Sequence, residues 1–318
     1  MAADQSESGT LLAADVGGSF IRIATVAIAS CEIEQTVERK TPTDDAEAFL
    51  ASIAEATAYF SGVERKLAPL AIAIAATIHP QSRAVTSANI PCLNGVDLER
   101  ALSERLDRPV MVLNDANAFA LAEASIGVGR GHAIVFGAVL GTGIGGGLII
   151  DGRVIDGAWG IAGEWGHGPI ANQQPASLNQ PLPRLTCGCG QTGCVDTFGG
   201  ARGLERLHRA LGHPPATSHD IVGGWTSTQP DCTQTIAIWA EMVAEPLTLA
   251  INITGASLVP TGGGLGSDPD LMALLDSEVR ARLPHTTTEP VVVPGMLKGD
   301  AGLIGAALLG RAALQATE

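Results

Sequence analysis

The stretch TLLAADVGGSFIRIATVAI, residues 10–28, reads as strand, glycine turn, strand, because an apolar run lies on each side of Gly-Gly-Ser. AIVFGAVLGTGIGGGLIIDGRVI, residues 133–155, repeats the pattern with a longer glycine turn and adds a second hairpin at Asp151-Gly152. Two hairpins of this kind in one chain are what two related halves would give. Between and beyond them, strands and helices alternate. Helical spacing covers 46–62, stopping at Gly62, then 96–107 and 116–127. It returns at 201–212, at 233–255 with Pro246 expected to disturb it, at 270–283 and at 300–316. The continuous apolar run at 70–77 reads as a buried strand, 109–115 as a strand ending in polar residues, 256–266 as strand then glycine turn, and 290–294 as a strand. The class is α/β.

The 318 residues suffice for one large or two medium domains, and 46% hydrophobic residues suffice for a sizeable core. Only residues 1–9 read as a disordered tail. A net charge of −14 argues against nucleic acid and anionic membranes as partners. No basic leader before an apolar stretch and no run of about 18 apolar residues is seen, so the expectation is a cytoplasmic chain without a membrane span.

Three stretches have the glycine content to bring backbone N–H groups close to phosphate: DVGGS (15–19), GTGIGGG (141–147) and TGGGLG (261–266). None has the Lys-Ser/Thr of a P-loop, and each alone could be a tight turn. Asp15, at a strand end beside the first turn, has the place of a carboxylate that holds magnesium through water. LNDAN puts Asn114 and Asp115 at another strand end, where α/β sheets bind ligands. A lone Asp there is usually a helix cap. Its other role would be general base toward an alcohol attacking phosphorus, with Asn114 orienting the hydroxyl.

Half of the six cysteines crowd into LTCGCGQTGC as Cys187, Cys189 and Cys194. In a reducing compartment such a cluster is more often a metal site than a disulfide framework. Zinc needs a fourth ligand, and His167 in AGEWGH lies 20 residues before Cys187. Four protein ligands would make the zinc structural. Cys31, Cys92 and Cys232 read as packing thiols. Trp159 and Trp165 read as packing residues, with stacking on a ligand as the alternative. The remaining histidines show no partner pattern.

With these motifs the chain resembles the ROK family of bacterial sugar kinases and repressors, within the sugar kinase/actin/Hsp70-like ATPase superfamily. DVGGS resembles the first phosphate motif, GTGIGGG the second and LVPTGGG the motif near adenosine. LNDAN resembles the segment with the catalytic aspartate, and AGEWGH with CGCGQTGC resembles the family's zinc signature.

The resemblance implies a two-domain actin-like ATPase fold with a ribonuclease H-like core in each domain, closing on sugar and ATP. The small domain would take 10–115 plus 300–318, and the large one 116–299 with the sugar loop and zinc knuckle. Asp115 would be the base, and Asn89, Asn114, Glu164, His167 and Asp196 the sugar contacts, with His167 also on zinc. Phosphate contacts would come from Asp15, Gly17, Gly18 and Ser19, from Gly141, Thr142, Gly143 and Gly145, and from Gly263 and Gly264. The implied cofactors are ATP, Mg2+ and structural Zn2+, and the implied assembly is a homodimer.

Three departures from the family pattern stand out: Ala75-Ala76-Thr77 where a glycine turn is usual, Asp196 in place of glutamate, and Phe20 in place of Lys or Asn. The expected activity is phosphorylation of the 6-hydroxyl of a hexose or N-acetylhexosamine, N-acetyl-D-glucosamine first. Fructokinase, mannokinase or glucokinase activity, or a sugar sensor without catalysis, are the alternatives. A family repressor would carry a helix-turn-helix module ahead of the first phosphate turn, which here begins at Asp15.

Overall fold

The computed structural model describes residues 9–60, 69–168 and 171–316. The expected tail and the helix stop at Gly62 thus lie outside the described residues, apart from Gly9. The chain forms two compact units. The first runs to Ala122 and takes in Asp156–Ala162 and the chain from Gly299 onward; the second comprises Glu123–Ile155 and Gly163–Lys298. The sequence reading drew its boundary at 115/116; the units divide at 122/123, within one helix.

In the first unit, β1 (Thr10–Val16), β2 (Phe20–Ala27) and β3 (Ile33–Lys40) form an antiparallel meander. Helix α1 (Ala46–Ala58) is capped by Asp45, whose carboxylate accepts from the Glu47 and Ala48 N–H groups. It leads to β4 (Leu70–Ile74), parallel to β1. A small hairpin of β5 (Thr77–Ile78) and β6 (Val85–Thr86) follows. Then come α2 (Leu98–Leu106), β7 (Val110–Asn114) parallel to β4, and α3 (Asp115–Ser125). Sheet order is β3-β2-β1-β4-β7. Every residue of LAIAI in β4 is buried, as expected of a parallel strand covered on both faces. At the edge, β3 carries exposed Glu34, Glu38, Arg39 and Lys40, charges that discourage further pairing. The C-terminal helix, Ala301–Ala316, packs on β1 and β4. It comes close: a Cβ at Gly310 would touch Leu11 and Ala71 at 3.4–3.5 Å.

The second unit repeats the scheme. β8 (Ile134–Leu140), β9 (Ile144–Ile150) and β10 (Arg153–Val154) are antiparallel. Helices α4 (Asp196–Gly199), α5 (Ala201–Ala210), α6 (Ser218–Thr226) and α7 (Pro230–Thr254) precede β11 (Val259–Gly262), which is parallel to β8. After α8 (Gly263–Gly266) and α9 (Pro269–Arg280), β12 (Val292–Pro294) completes the order β10-β9-β8-β11-β12.

The same path, a meander followed by two parallel crossovers, thus builds both sheets: the ribonuclease H-like core, present twice. Helix α7 runs unbroken through Pro246, whose side chain is buried. Its composition is apolar enough to cross a membrane, yet Ile236, Trp239, Val243 and Leu247 sit fully inside the unit's core. Its apolarity therefore serves packing.

Candidate active site

In the first unit, Val16, Ile74 and Asn114 are register partners, so β1, β4 and β7 end together. The three segments that follow, Gly17–Ser19, Ala75–Ala76 and Asp115, leave the C-terminal edge of the parallel strands, where α/β sheets place ligands. The Gly17–Ser19 turn is pinned from β3's end: Thr41 Oγ1 donates to the Gly17 carbonyl (2.6 Å) and Thr41 N–H to that of Ser19 (3.0 Å). A Cβ on Gly18 would lie 3.0 Å from Asn89 Cβ and 3.2 Å from Asn89 O, so the first glycine turn rests on the segment with the predicted sugar contact.

That segment is held by a residue the sequence reading passed over. Buried Ser87 donates through Oγ to Ala75 O (2.8 Å) and accepts from the Asn89 and Ile90 N–H groups at 3.2 and 3.0 Å. The Ala75-Ala76 departure is benign on one side: the Ala76 side chain joins the apolar core, and its carbonyl accepts from Asn114 Nδ2 at 3.0 Å. Asn114 Oδ1 accepts from the Asn117 N–H at 3.0 Å. Asn114 thus supplies a side-chain cap to α3. Asp115 is exposed in the first turn, with Oδ1 accepting from the Ala116 N–H at 2.9 Å.

Asp15 is half-buried. A Cβ on Gly302 would fall 2.7–2.8 Å from its carboxylate, so the C-terminal helix begins flush against it. Burial pushes the Asp15 carboxyl above its ordinary range; the Arg22 guanidinium, its cross-strand partner, pulls it back, and Asp300 adds to the rise. Arg22 is itself engaged by Asp300 (2.9 Å) and the Gly299 carbonyl (2.8 Å). A carboxylate in such surroundings gains from a cation, which fits the magnesium role. Phe20 is exposed at the start of β2. Trp159 is also 68% exposed, edge-on to His79 at 6.5 Å, so it does not pack as expected.

In the second unit, the turns after β8 and β11 meet. Gly263, at φ +81°, lies so near Leu140 and Gly141 that a Cβ would come within 2.5 Å of their backbones. Only glycine fits there. Nothing crowds Gly264. Gly145 is not in the turn: it pairs with Val139 inside β9, and its carbonyl accepts from Trp165 Nε1 at 2.8 Å. The glycines that follow make room for the Gly163–His167 loop. A Cβ on Gly146 would lie 2.7 Å from Gly163 O and from Trp165. Trp165 is buried and packs edge-on to Phe136 at 6.4 Å, as the sequence suggested.

One ligand atom each from His167, Cys187, Cys189 and Cys194 lies within 4.8 Å of all the others. Cys187 Sγ is 3.6 Å from His167 Nδ1, and Cys189 Sγ is 3.7 Å from Cys194 Sγ. Tetrahedral zinc with sulfur at about 2.3 Å requires sulfur atoms roughly 3.8 Å apart, so this donor set fits that ion. Burial pushes the Cys187 thiol up to about 12. His167 Nε2 lies 3.7 Å from the Glu164 carboxylate. Burial raises the Glu164 carboxyl; His167 lowers it and Asp196 raises it further. Asp196 turns one carboxylate oxygen to the Ile144 N–H at 2.7 Å.

A family model described as the ROK family matches residues 11–313. The chain belongs to the ROK family. It is 32% identical over 297 residues to an N-acetylgalactosamine kinase of Shewanella sp. strain ANA-3, covering 93% of this chain and 95% of that one. It is 31% identical over 301 residues to an N-acetyl-D-glucosamine kinase of Pectobacterium atrosepticum, covering 93% and 97%. Among solved structures, a ROK family glucokinase from Streptomyces griseus in complex with glucose and AMPPNP is similar with a TM-score of 0.76. The two are 26% identical, with 96% of this chain and 100% of that one covered. The ROK chain described here therefore has the actin-like fold that its two repeated sheets display.

Proposed function

We propose that this ROK protein is an ATP-dependent sugar kinase that phosphorylates the 6-hydroxyl of an N-acetylhexosamine, with N-acetyl-D-glucosamine as its substrate. The observation that carries the reading is Asp115: an exposed carboxylate directly after β7, at the C-terminal edge of the parallel strands. Asp115 accepts the proton of the primary hydroxyl. The freed oxygen attacks the γ-phosphorus, the bond from γ-phosphorus to its bridging oxygen breaks, and ADP leaves. Asn89, Asn114, Glu164 and His167 contact the sugar. The glycine turns at Gly17–Ser19, Gly141–Gly143 and Gly263–Gly264 would each offer backbone N–H groups to phosphate, as their resemblance to the family's phosphate motifs implies. Asp15 would be the residue that holds magnesium, which would offset phosphate charge when bound with ATP. His167, Cys187, Cys189 and Cys194 would hold zinc, and it would be structural, since four protein ligands leave no open position.

The choice of an N-acetylhexosamine follows the two relatives named above. Ala76 gives no support to a sensor without catalysis, because its side chain lies in the core rather than over the strand end. The test is a coupled ADP-release assay with Mg·ATP against N-acetylglucosamine, N-acetylgalactosamine, N-acetylmannosamine, glucose, mannose and fructose. N-acetylglucosamine should give the highest kcat/KM. Preference for a plain hexose would overturn the sugar assignment while leaving the kinase.

A further inference from the structure

Asp196 is where this chain is one methylene shorter than its family's usual glutamate, and its surroundings give the shorter carboxylate a different task. Oδ1 accepts from the Ile144 N–H at 2.7 Å. A Cβ on Gly143 would fall 2.4 Å from that same oxygen, so turn and carboxylate touch with no side chain between them. The Asp196 N–H donates to Gly166 O at 3.0 Å, which ties it to the Glu164–His167 loop. Its other oxygen lies 3.7 Å from Cys187 Sγ.

The chain that follows continues along the same turn. The Ala201 N–H donates to Gly141 O at 2.8 Å and the Arg202 N–H to Thr142 O at 3.4 Å. A Cβ on Gly200 would meet Gly143 Cα at 2.6 Å. The second glycine turn is therefore gripped along its whole length by residues 196–202, and Asp196 supplies the one charged bond in that grip.

We propose that Asp196 is a positioning residue for the nucleotide: it fixes the Gly141–Ile144 turn for phosphate rather than holding a sugar hydroxyl. The proposal rests on the kinase reading. A glutamate at this position would carry its carboxylate roughly 1.5 Å farther from the same backbone and past the Ile144 N–H. The aspartate thus exchanges a reach toward the acceptor for a hold on the turn. The resemblance assigns the residue to the sugar; its bonding assigns it to the phosphate turn.

The experiment measures KM for both substrates and, separately, Mg·ATP binding by calorimetry without sugar, in the full-length protein. Asp196→Ala should weaken Mg·ATP binding and raise its KM about tenfold, with KM for the sugar within twofold of the parent. Asp196→Asn keeps a carbonyl acceptor for Ile144 and should stay within about threefold on the ATP side. Gly143→Ala attacks the contact from the other partner, by placing a methyl against Oδ1, and should reproduce the ATP-side loss. Zinc content and thermal midpoint are recorded for each variant, and Gly143→Ala keeps the proposal testable where Asp196→Ala disturbs the knuckle.

A rise in sugar KM with ATP binding unchanged in Asp196→Ala would overturn the proposal, as would unaltered Mg·ATP binding in Gly143→Ala. A parent protein that binds no Mg·ATP would instead overturn the kinase reading.

Discussion

Asn114 carries two bonds whose loss can be separated. Oδ1 caps α3 through the Asn117 N–H, and Nδ2 ties the end of β7 to Ala76 O in the neighbouring chain segment. Losing an Asn cap costs about 1 kcal/mol, and losing one further hydrogen bond costs about 1 kcal/mol. Asn114→Ala should therefore lower the stability of the first unit by about 2 kcal/mol, a fall in its thermal midpoint of roughly 4–8 °C. Asn114→Ser keeps a good cap and gives up only the tie to Ala76, so it should cost about 1 kcal/mol less than alanine. Activity should fall further than stability. Asp115 follows Asn114 directly, and a misplacement of about 1 Å in a catalytic group is enough for a roughly hundredfold loss in rate. Urea denaturation gives the stability difference, and ADP release at saturating substrates gives kcat. Equal destabilisation by serine and alanine would refute the capping argument. Unchanged kcat in Asn114→Ala would refute the claim that Asn114 positions Asp115.

Further outcomes follow from other parts of the molecule. The purified protein should contain one zinc per chain by atomic absorption; Cys194→Ser should lose it and melt earlier, and a thiol-intact protein without zinc would contradict the donor set. Gly302→Ala places a methyl 2.7 Å from the Asp15 carboxyl carbon, so KM for Mg·ATP should rise severalfold with KM for sugar unchanged. Buried His208 bonds Thr235 and lies 4.8 Å from His213, the two rings tilted at 44°. Burial lowers its basicity, His213 lowers it further and Asp231 opposes them. The unfolded chain then binds the proton more readily, so stability is lost as pH falls below about 6.5, by at most about 1.4 kcal/mol per pH unit. His208→Gln should flatten that slope in urea titrations between pH 5 and about 7; an identical slope would remove His208 from the account.

What could be read from the sequence was what is local. The two glycine-turn hairpins, the strand ending in Asn114-Asp115 and the spacing of His167 with the cysteines are short-range patterns, and each has its counterpart in the structure. β3 went unread because an edge strand carries charges where a core strand carries valines. Helix α6 went unread because SHDIVGGWT holds two glycines and little apolar periodicity. It stands on a capping box between Thr217 and Asp220 and on the burial of Ile221.

In the sequence, the glycine run carries the turn's pattern on through Gly145. Only the Gly163–Trp165 loop, packed on β9, shows what that part of the run accommodates. Ser87, the Asp15–Gly302 contact and the Asp196–Ile144 bond join residues far apart in the chain, apart from the short reach of Ser87 to its own loop. No spacing rule announces them.

The most direct test of the central claim follows the phosphate itself. ATP labelled at the γ-phosphate is incubated with magnesium, N-acetylglucosamine and either the parent protein or Asp115→Asn, and the sugar product is analysed by mass spectrometry and phosphorus NMR. The parent should give N-acetylglucosamine 6-phosphate carrying the label, and Asp115→Asn at least about a hundredfold less of it under the same conditions. Label recovered only as inorganic phosphate, or transfer at an undiminished rate by Asp115→Asn, would contradict that claim.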